Sequence, residues 1–210
     1  LINKGFKNII PVLDNKSEIF YYDQFVDTDE YNVGIRVATE EEPNFEFYTS
    51  RLGIRNADVL PFYRSVLSQN KRARLKMLHF FVDTGIKDSI YYWGELKKGI
   101  TLYCELKKIC PTLTALNIGG GMPIPNTLGF EYDYQYMISE IVQLIKDSCK
   151  EYGIEEPDIY TEFGKYTVGE SGAVILSVVN AKKQNDSEIW YMVDNSLMNT
   201  IPDSWGIGER

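Results

Sequence analysis

Two stretches hold the residue types best suited to chemistry. They are Leu116-Asn117-Ile118-Gly119-Gly120-Gly121-Met122-Pro123 and Ile159-Tyr160-Thr161-Glu162-Phe163-Gly164-Lys165-Tyr166. Each is an apolar, strand-like run that stops abruptly. In the first, three consecutive glycines let backbone N–H groups approach an anion closely, because no Cβ stands in the way. The second supplies a carboxylate, a glycine and a cation at the end of its run. Brought together on neighbouring strand ends, these groups would suit a ligand that carries a phosphate and a basic ring nitrogen.

Positioning them requires a scaffold, and the hydrophobic pattern supplies one. Apolar runs rich in β-branched residues cover 8–13, 33–38, 75–82, 113–118 and 158–162, and read as strands. Helical periodicity covers 57–68, 88–109 and 133–152, while 14–31 reads as a short helix with a loop. In the last long helix Tyr134, Ile138, Ile141, Ile145 and Tyr152 share a face, and Gly153 stands at the C′ position. Strands apolar throughout and separated by helices imply a parallel sheet covered on both faces. Ligand groups then belong at the strands' C-terminal ends, where both opening motifs begin. An open doubly wound sheet and a (β/α)8 barrel fit this pattern equally well. After Tyr166 the pattern changes: 172–183 and 188–193 read as two strands joined by the polar turn Gln184-Asn185-Asp186-Ser187, the start of a separate β-rich domain.

Composition narrows the partners. The 210 residues carry a net charge of -8 without a long basic patch, which argues against nucleic acid and anionic membrane surfaces. Lys71-Arg72-Ala73-Arg74 reads as a solvated loop before a strand. Three cysteines, Cys104, Cys110 and Cys149, lack metal-ligand spacing, and one histidine makes a His-rich metal site improbable, so no metal is expected. The sparse, odd cysteine set and the absence of an apolar span or signal-peptide pattern lead to an expectation of a reduced, cytoplasmic setting. The chain begins at Leu1, which suits a piece of something longer.

The motifs occur in the order and approximate spacing of the fold-type III pyridoxal-phosphate-dependent decarboxylases, which this sequence resembles over nearly all its length. The resemblance is carried by Val33-Gly34-Ile35-Arg36-Val37, Ser50-Arg51-Leu52-Gly53-Ile54, Leu78-His79-Phe80-Phe81-Val82-Asp83-Thr84-Gly85, the three glycines and Glu162-Phe163-Gly164-Lys165. The tail from Ser196 through Pro202-Asp203-Ser204-Trp205 to Ile207 resembles the segment that follows the barrel in biosynthetic arginine decarboxylases. The likeness implies an α/β fold: part of an alanine-racemase-like (β/α)8 TIM barrel over 1–170, then the first strands of a C-terminal β-sandwich over 171–210. It further implies a homodimer with active sites at the subunit interface.

Carried over residue by residue, the resemblance assigns Gly119, Gly120 and Gly121 to the phosphate of pyridoxal 5'-phosphate. Gly164 and Lys165 match the phosphate-facing end of the family's Glu-x-Gly-Arg motif, and Thr84 aligns with a phosphate-binding serine. Glu162 would pair with the pyridine nitrogen and keep it protonated. Phe81 would stack on the pyridine face, where the family usually has histidine; the flat apolar wall survives and the ring nitrogens do not. Asp83 stands where the family has glycine, and Lys165 keeps the charge of an arginine without its planar fork. The Schiff-base lysine is expected upstream, so none of these residues is a catalytic anchor. The implied reaction is decarboxylation of a small-molecule basic amino acid, with arginine favoured and agmatine the product. The alternatives are a sister decarboxylase acting on diaminopimelate, ornithine or carboxynorspermidine, and a non-catalytic relative that binds a partner. His79 reads as a hydrogen-bonded core residue one layer below Phe81, and Arg51 reads equally as a partner contact or a solvated cation.

Overall fold

The computed structural model describes residues 1–39, 51–82, 85–125 and 129–200. Asp83, Thr84, Ser50 and the tail beyond 200, on which several of the sequence readings fall, lie outside the described residues. The chain divides into two compact units, 1–167 and 168–210.

The first unit is built on a parallel sheet. Its strands are β1 (Val12–Leu13), β2 (Tyr31–Ala38), β3 (Ile54–Arg55), β4 (Ala73–Phe80), β5 (Ala115–Asn117) and β6 (Asp158–Tyr160). The order β1-β2-β4-β5-β6 follows the chain without reversal, and β3 pairs with the end of β2 on the edge opposite β4. Every pairing is parallel. The helices between them are α1 (Glu18–Phe25), α2 (Asn56–Ser65), α3 (Ile90–Ile109) and α4 (Tyr134–Tyr152), with a short α5 (Gly164–Val168) after β6.

Local chemistry sets the boundaries. Ser89 caps α3 by accepting from the Tyr92 N–H at 3.2 Å, and Asp133 caps α4 by accepting from the Tyr136 N–H at 2.9 Å. Gly153 ends α4 with φ 65°, and its N–H returns to the Cys149 and Lys150 carbonyls. β1 is shorter than its apolar run because Pro11 has no N–H to extend the ladder, although its carbonyl accepts from Gly34.

Three expectations are corrected. In α4 the buried stripe is Met137, Ile141, Ile145 and Cys149, while Ile138 is 42% exposed; the stripe lies one residue round from the face drawn through Ile138. Arg72 is not in a solvated loop. Its guanidinium donates to the carbonyls of Asp23, Val26 and Thr28, clamping the turn before β2 against the start of β4. The run expected as strand to residue 162 ends as regular strand at Tyr160.

The two faces of β4 divide the labour. Leu78 and Phe80 point to the helices, and α3 comes so close that a Cβ on Gly99 would lie 2.4 Å from the Phe80 ring. Met77 and His79 point the other way. Cys104 in α3 and Cys149 in α4 are buried thiols in contact, and burial pushes Cys104 up to about 12.

The second unit contains an antiparallel hairpin of β7 (Val178–Lys183) and β8 (Ile189–Val193), then α6 (Leu197–Thr200). The Asn185 carboxamide closes its turn by accepting from the Ser187 N–H at 2.9 Å. Among the described residues no helix is long and apolar enough to cross a membrane.

Candidate functional site

Three chain segments leave the C-terminal ends of β4, β5 and β6 and meet. The glycines of the β5 segment are what allow the meeting. A Cβ on Gly119 would lie 2.8 Å from the Phe80 carbonyl oxygen and 2.9 Å from the Phe81 ring, one on Gly120 would lie 2.6 Å from the Glu162 carbonyl oxygen, and one on Gly121 would lie 2.6 Å from the Gly85 Cα. The φ angles of Gly119 and Gly121, 73° and 93°, add a backbone reason. This refines the reading of the glycines as mere clearance for an anion: the missing Cβ space is taken by neighbouring backbone.

Hydrogen bonds stitch the same junction. The Glu162 N–H donates to the Gly119 carbonyl at 2.9 Å, and the Ile86 N–H donates to the Gly121 carbonyl at 3.0 Å. The Gly119 N–H is spent on the Asn117 side chain. Among the described residues, the N–H groups of Gly120 and Gly121 have no acceptor. An aromatic wall braces the surroundings. Tyr166 packs on Tyr134 at 5.2 Å between ring centroids, and Tyr134 on Tyr132 at 4.8 Å. The Tyr134 and Tyr132 hydroxyls donate to the Pro123 and Ile86 carbonyls.

The structure therefore brings together Phe81, Gly119, Gly120, Gly121 and Glu162. Phe81 is half-buried directly after β4, its carbonyl accepting from the Thr39 hydroxyl at 2.8 Å. Gly164 and Lys165 follow at the start of α5 and are exposed. A Cβ on Gly164 would meet nothing within 4 Å. Unlike the three glycines, Gly164 is not explained by contacts inside the protein.

The sequence reading missed a polar row across the sheet. Arg36, His79 and Asn117 are register partners on β2, β4 and β5. Asn117, 8% exposed, donates its Nδ2–H to Glu162 Oε1 at 2.9 Å while its Oδ1 takes the Gly119 N–H at 2.9 Å. That second bond fixes which way the amide points. His79 is buried, yet its ring nitrogens have no hydrogen-bond partner among the described residues, which overturns its reading as a hydrogen-bonded core side chain. Its Nε2 lies 3.4 Å from Glu162 Oε1. Burial pushes the His79 pKa down; Glu162 opposes this and Arg36 adds to it, so the imidazole is neutral at neutral pH. The available signal was a polar residue, Arg36, His79 or Asn117, toward the end of each of three largely apolar runs. Among the described residues no cluster of metal-ligating side chains forms.

Comparison with known proteins places this geometry. Biosynthetic arginine decarboxylase from Geotalea uraniireducens is 24% identical over 143 residues, covering 65% of this chain and 22% of that protein. Lysine decarboxylase from Selenomonas ruminantium superimposes with a TM-score of 0.67 at 22% identity, over 90% of this chain and 47% of that one. Diaminopimelate decarboxylase from M. jannaschii, solved with L-lysine, gives a TM-score of 0.69 at 18% identity, over 90% and 45%. The chain thus spans about a quarter of the length of its curated relatives. The family described as "Pyridoxal-dependent decarboxylase, pyridoxal binding domain" matches residues 4–169, and with the strand-end junction of Glu162 and the three glycines inside that match, the chain belongs to this family.

Proposed function

We propose that this chain carries the phosphate and ring-nitrogen sites of a pyridoxal-phosphate-dependent decarboxylase acting on a basic amino acid, with L-arginine as substrate and agmatine and CO2 as products. The observation that carries the reading is the convergence of the Glu162 carboxylate and glycines 119–121 at one end of a parallel sheet. The residues present fit the cofactor. Gly120 and Gly121 offer two uncommitted N–H groups for a phosphate, Gly164 leaves open space where a side chain would intrude, and Lys165 adds positive charge nearby in sequence.

When bound, pyridoxal phosphate supplies an electron sink for the pair left at Cα as CO2 departs. Glu162 holds a proton at the ring nitrogen, which deepens that sink. Asn117 fixes the Glu162 carboxylate from below. Phe81 gives the ring a flat apolar wall, and Thr84 supplies a hydroxyl to the phosphate. No lysine is assigned as covalent anchor: Lys76, the lysine within β1–β6, is the extra residue where the β2–β4 register shifts.

Strands added in chain order without reversal favour a barrel over a doubly wound sheet, in which the order reverses. On this reading 1–170 form part of a (β/α)8 barrel, 171–210 begin a C-terminal β-sandwich, and the whole protein works as a cytoplasmic homodimer. Arginine is favoured because the curated relative named above, from Geotalea uraniireducens, is an arginine decarboxylase.

The test uses the full-length protein loaded with pyridoxal phosphate. Decarboxylation of L-arginine should exceed that of L-lysine, L-ornithine and diaminopimelate; a clear preference for another of these overturns the substrate. Glu162→Gln should keep the cofactor bound yet slow turnover at least about a hundredfold, because a neutral pyridine is a poor sink. Near-normal turnover in that variant removes Glu162 from the mechanism.

A further inference from the structure

His79 occupies a costly position that the reading above does not use. It is 6% exposed, and both ring nitrogens lack a hydrogen-bond partner among the described residues. A buried imidazole is sustained by hydrogen bonds to its ring nitrogens, whereas an apolar side chain of similar size needs none. Its Nε2 nevertheless stands 3.4 Å from Glu162 Oε1, the oxygen that already accepts from Asn117 at 2.9 Å.

We propose that His79 is a positioning residue for Glu162: its Nε2–H and the Asn117 amide together hold Oε1, leaving Oε2 to face the ring nitrogen of the bound cofactor. The proposal rests on the assignment of Glu162 to that nitrogen. A carboxylate is an acceptor on both oxygens, so two donors on one of them fix its plane and orient the other. The facing carboxylate selects the Nε2–H tautomer, since an unprotonated Nε2 would set two lone pairs against each other. Catalytic hydrogen bonds are often long before the ligand is bound and tighten afterwards. A short inward turn of the Glu162 side chain, which is 54% exposed, closes the gap.

The surroundings favour a neutral donor rather than a cation. Among the described residues, the charged groups facing His79 are Arg36 on β2 and Glu162 after β6; Asn117 on β5 is uncharged. Burial and Arg36 together outweigh the pull of Glu162 on the imidazole proton. His79 therefore orients the carboxylate without neutralising it, and the full negative charge remains to hold the proton on the ring nitrogen.

The experiment loads the full-length protein with pyridoxal phosphate labelled with 15N at the ring nitrogen, whose NMR shift reports protonation independently of turnover. His79→Leu removes the donor; His79→Gln replaces it with an amide N–H of similar reach. The Leu variant should move the resonance toward the unprotonated position and lower kcat about tenfold at unchanged KM, the loss expected for one hydrogen bond to a charged group. The Gln variant should recover most of both. Wild-type resonance and kcat in His79→Leu, or equal losses in the two variants, overturn the proposal. Glu162→Gln run alongside separates the two readings. No shift there means the Glu162 assignment has failed; a shift there with none in His79→Leu sinks the histidine's role alone. If His79→Leu does not fold, the wild-type imidazole Nε2 proton, assigned by its loss in His79→Gln, decides. Downfield movement on loading supports the bond, and no movement overturns it.

Discussion

The two faces of β4 differ more than any two elements of the chain. Toward the helices, Leu78 and Phe80 are 0% and 1% exposed, and the Phe80 ring meets α3 at Gly99. Toward the other side, His79 stands in a row with Arg36 and Asn117, under a carboxylate that is half exposed. Successive residues of one strand thus serve opposite ends. Apolar burial on one face fixes where the backbone lies, and that fixed backbone lets the other face carry polar groups whose mutual satisfaction is incomplete. Stability and site chemistry are separated by a single step along the chain.

That division is open to direct attack from its helix-facing side. Phe80→Ala should empty a fully buried ring site and cost about 3–5 kcal/mol of stability. Urea unfolding of the full-length protein measures it. If the faces are independent, the residual folded enzyme should still bind pyridoxal phosphate with near wild-type affinity under stabilising conditions. A large loss of cofactor affinity would show that the two faces are mechanically one.

A smaller effect separates two kinds of glycine at the site. Gly120→Ala sets a Cβ 2.6 Å from the Glu162 carbonyl oxygen. The β6 segment must then yield, which should cost about 1–3 kcal/mol and displace Glu162 from its place. Gly164→Ala meets nothing within 4 Å and should change stability by less than about 0.5 kcal/mol. It should nonetheless weaken cofactor binding, because the open space is the cofactor's. Thermal unfolding and cofactor titration of both variants check this. Unchanged affinity in Gly164→Ala would remove that residue from the site.

The scaffold was legible in the sequence because its signals are local. Apolar strands alternating with 3.6-residue periodicity gave the parallel sheet, and Gly153 marked the end of α4 where it falls. β3, at two residues, and α5, at five, are too short to leave a period. Glu162 and the glycines stood out by type at the ends of apolar runs. Asn117 did not, since one asparagine in such a run looks the same whether it caps a turn or holds a carboxylate. His79 reads from the sequence as a hydrogen-bonded core side chain, and its surroundings differ from that. Its partners come from β2, β5 and the segment after β6, and only the register Arg36–His79–Asn117 reveals them.

The smallest expected effect is a pH dependence that belongs to the polar face alone. Burial sets the folded-state His79 pKa below its ordinary value of 6.5. The unfolded chain therefore takes up a proton before the folded one does. By linkage, stability is complete above about pH 6.5 and declines as pH falls from there to the lower folded value, below which this contribution stays lost. Asp58, held down by its hydrogen bond to Lys16, and Asp194, held down by the Ser177 N–H, act with the same sign. Their window opens only near their ordinary value of 3.8 and extends below it, so it does not overlap the start of the histidine's. Thermal midpoints of the full-length protein should accordingly drop between pH 7 and pH 5 in the wild type and drop less in His79→Gln, which cannot take up the proton. Equal slopes in the two proteins would mean that His79 exchanges protons as freely folded as unfolded. The buried, neutral imidazole beneath Glu162 would then not be the state the protein maintains.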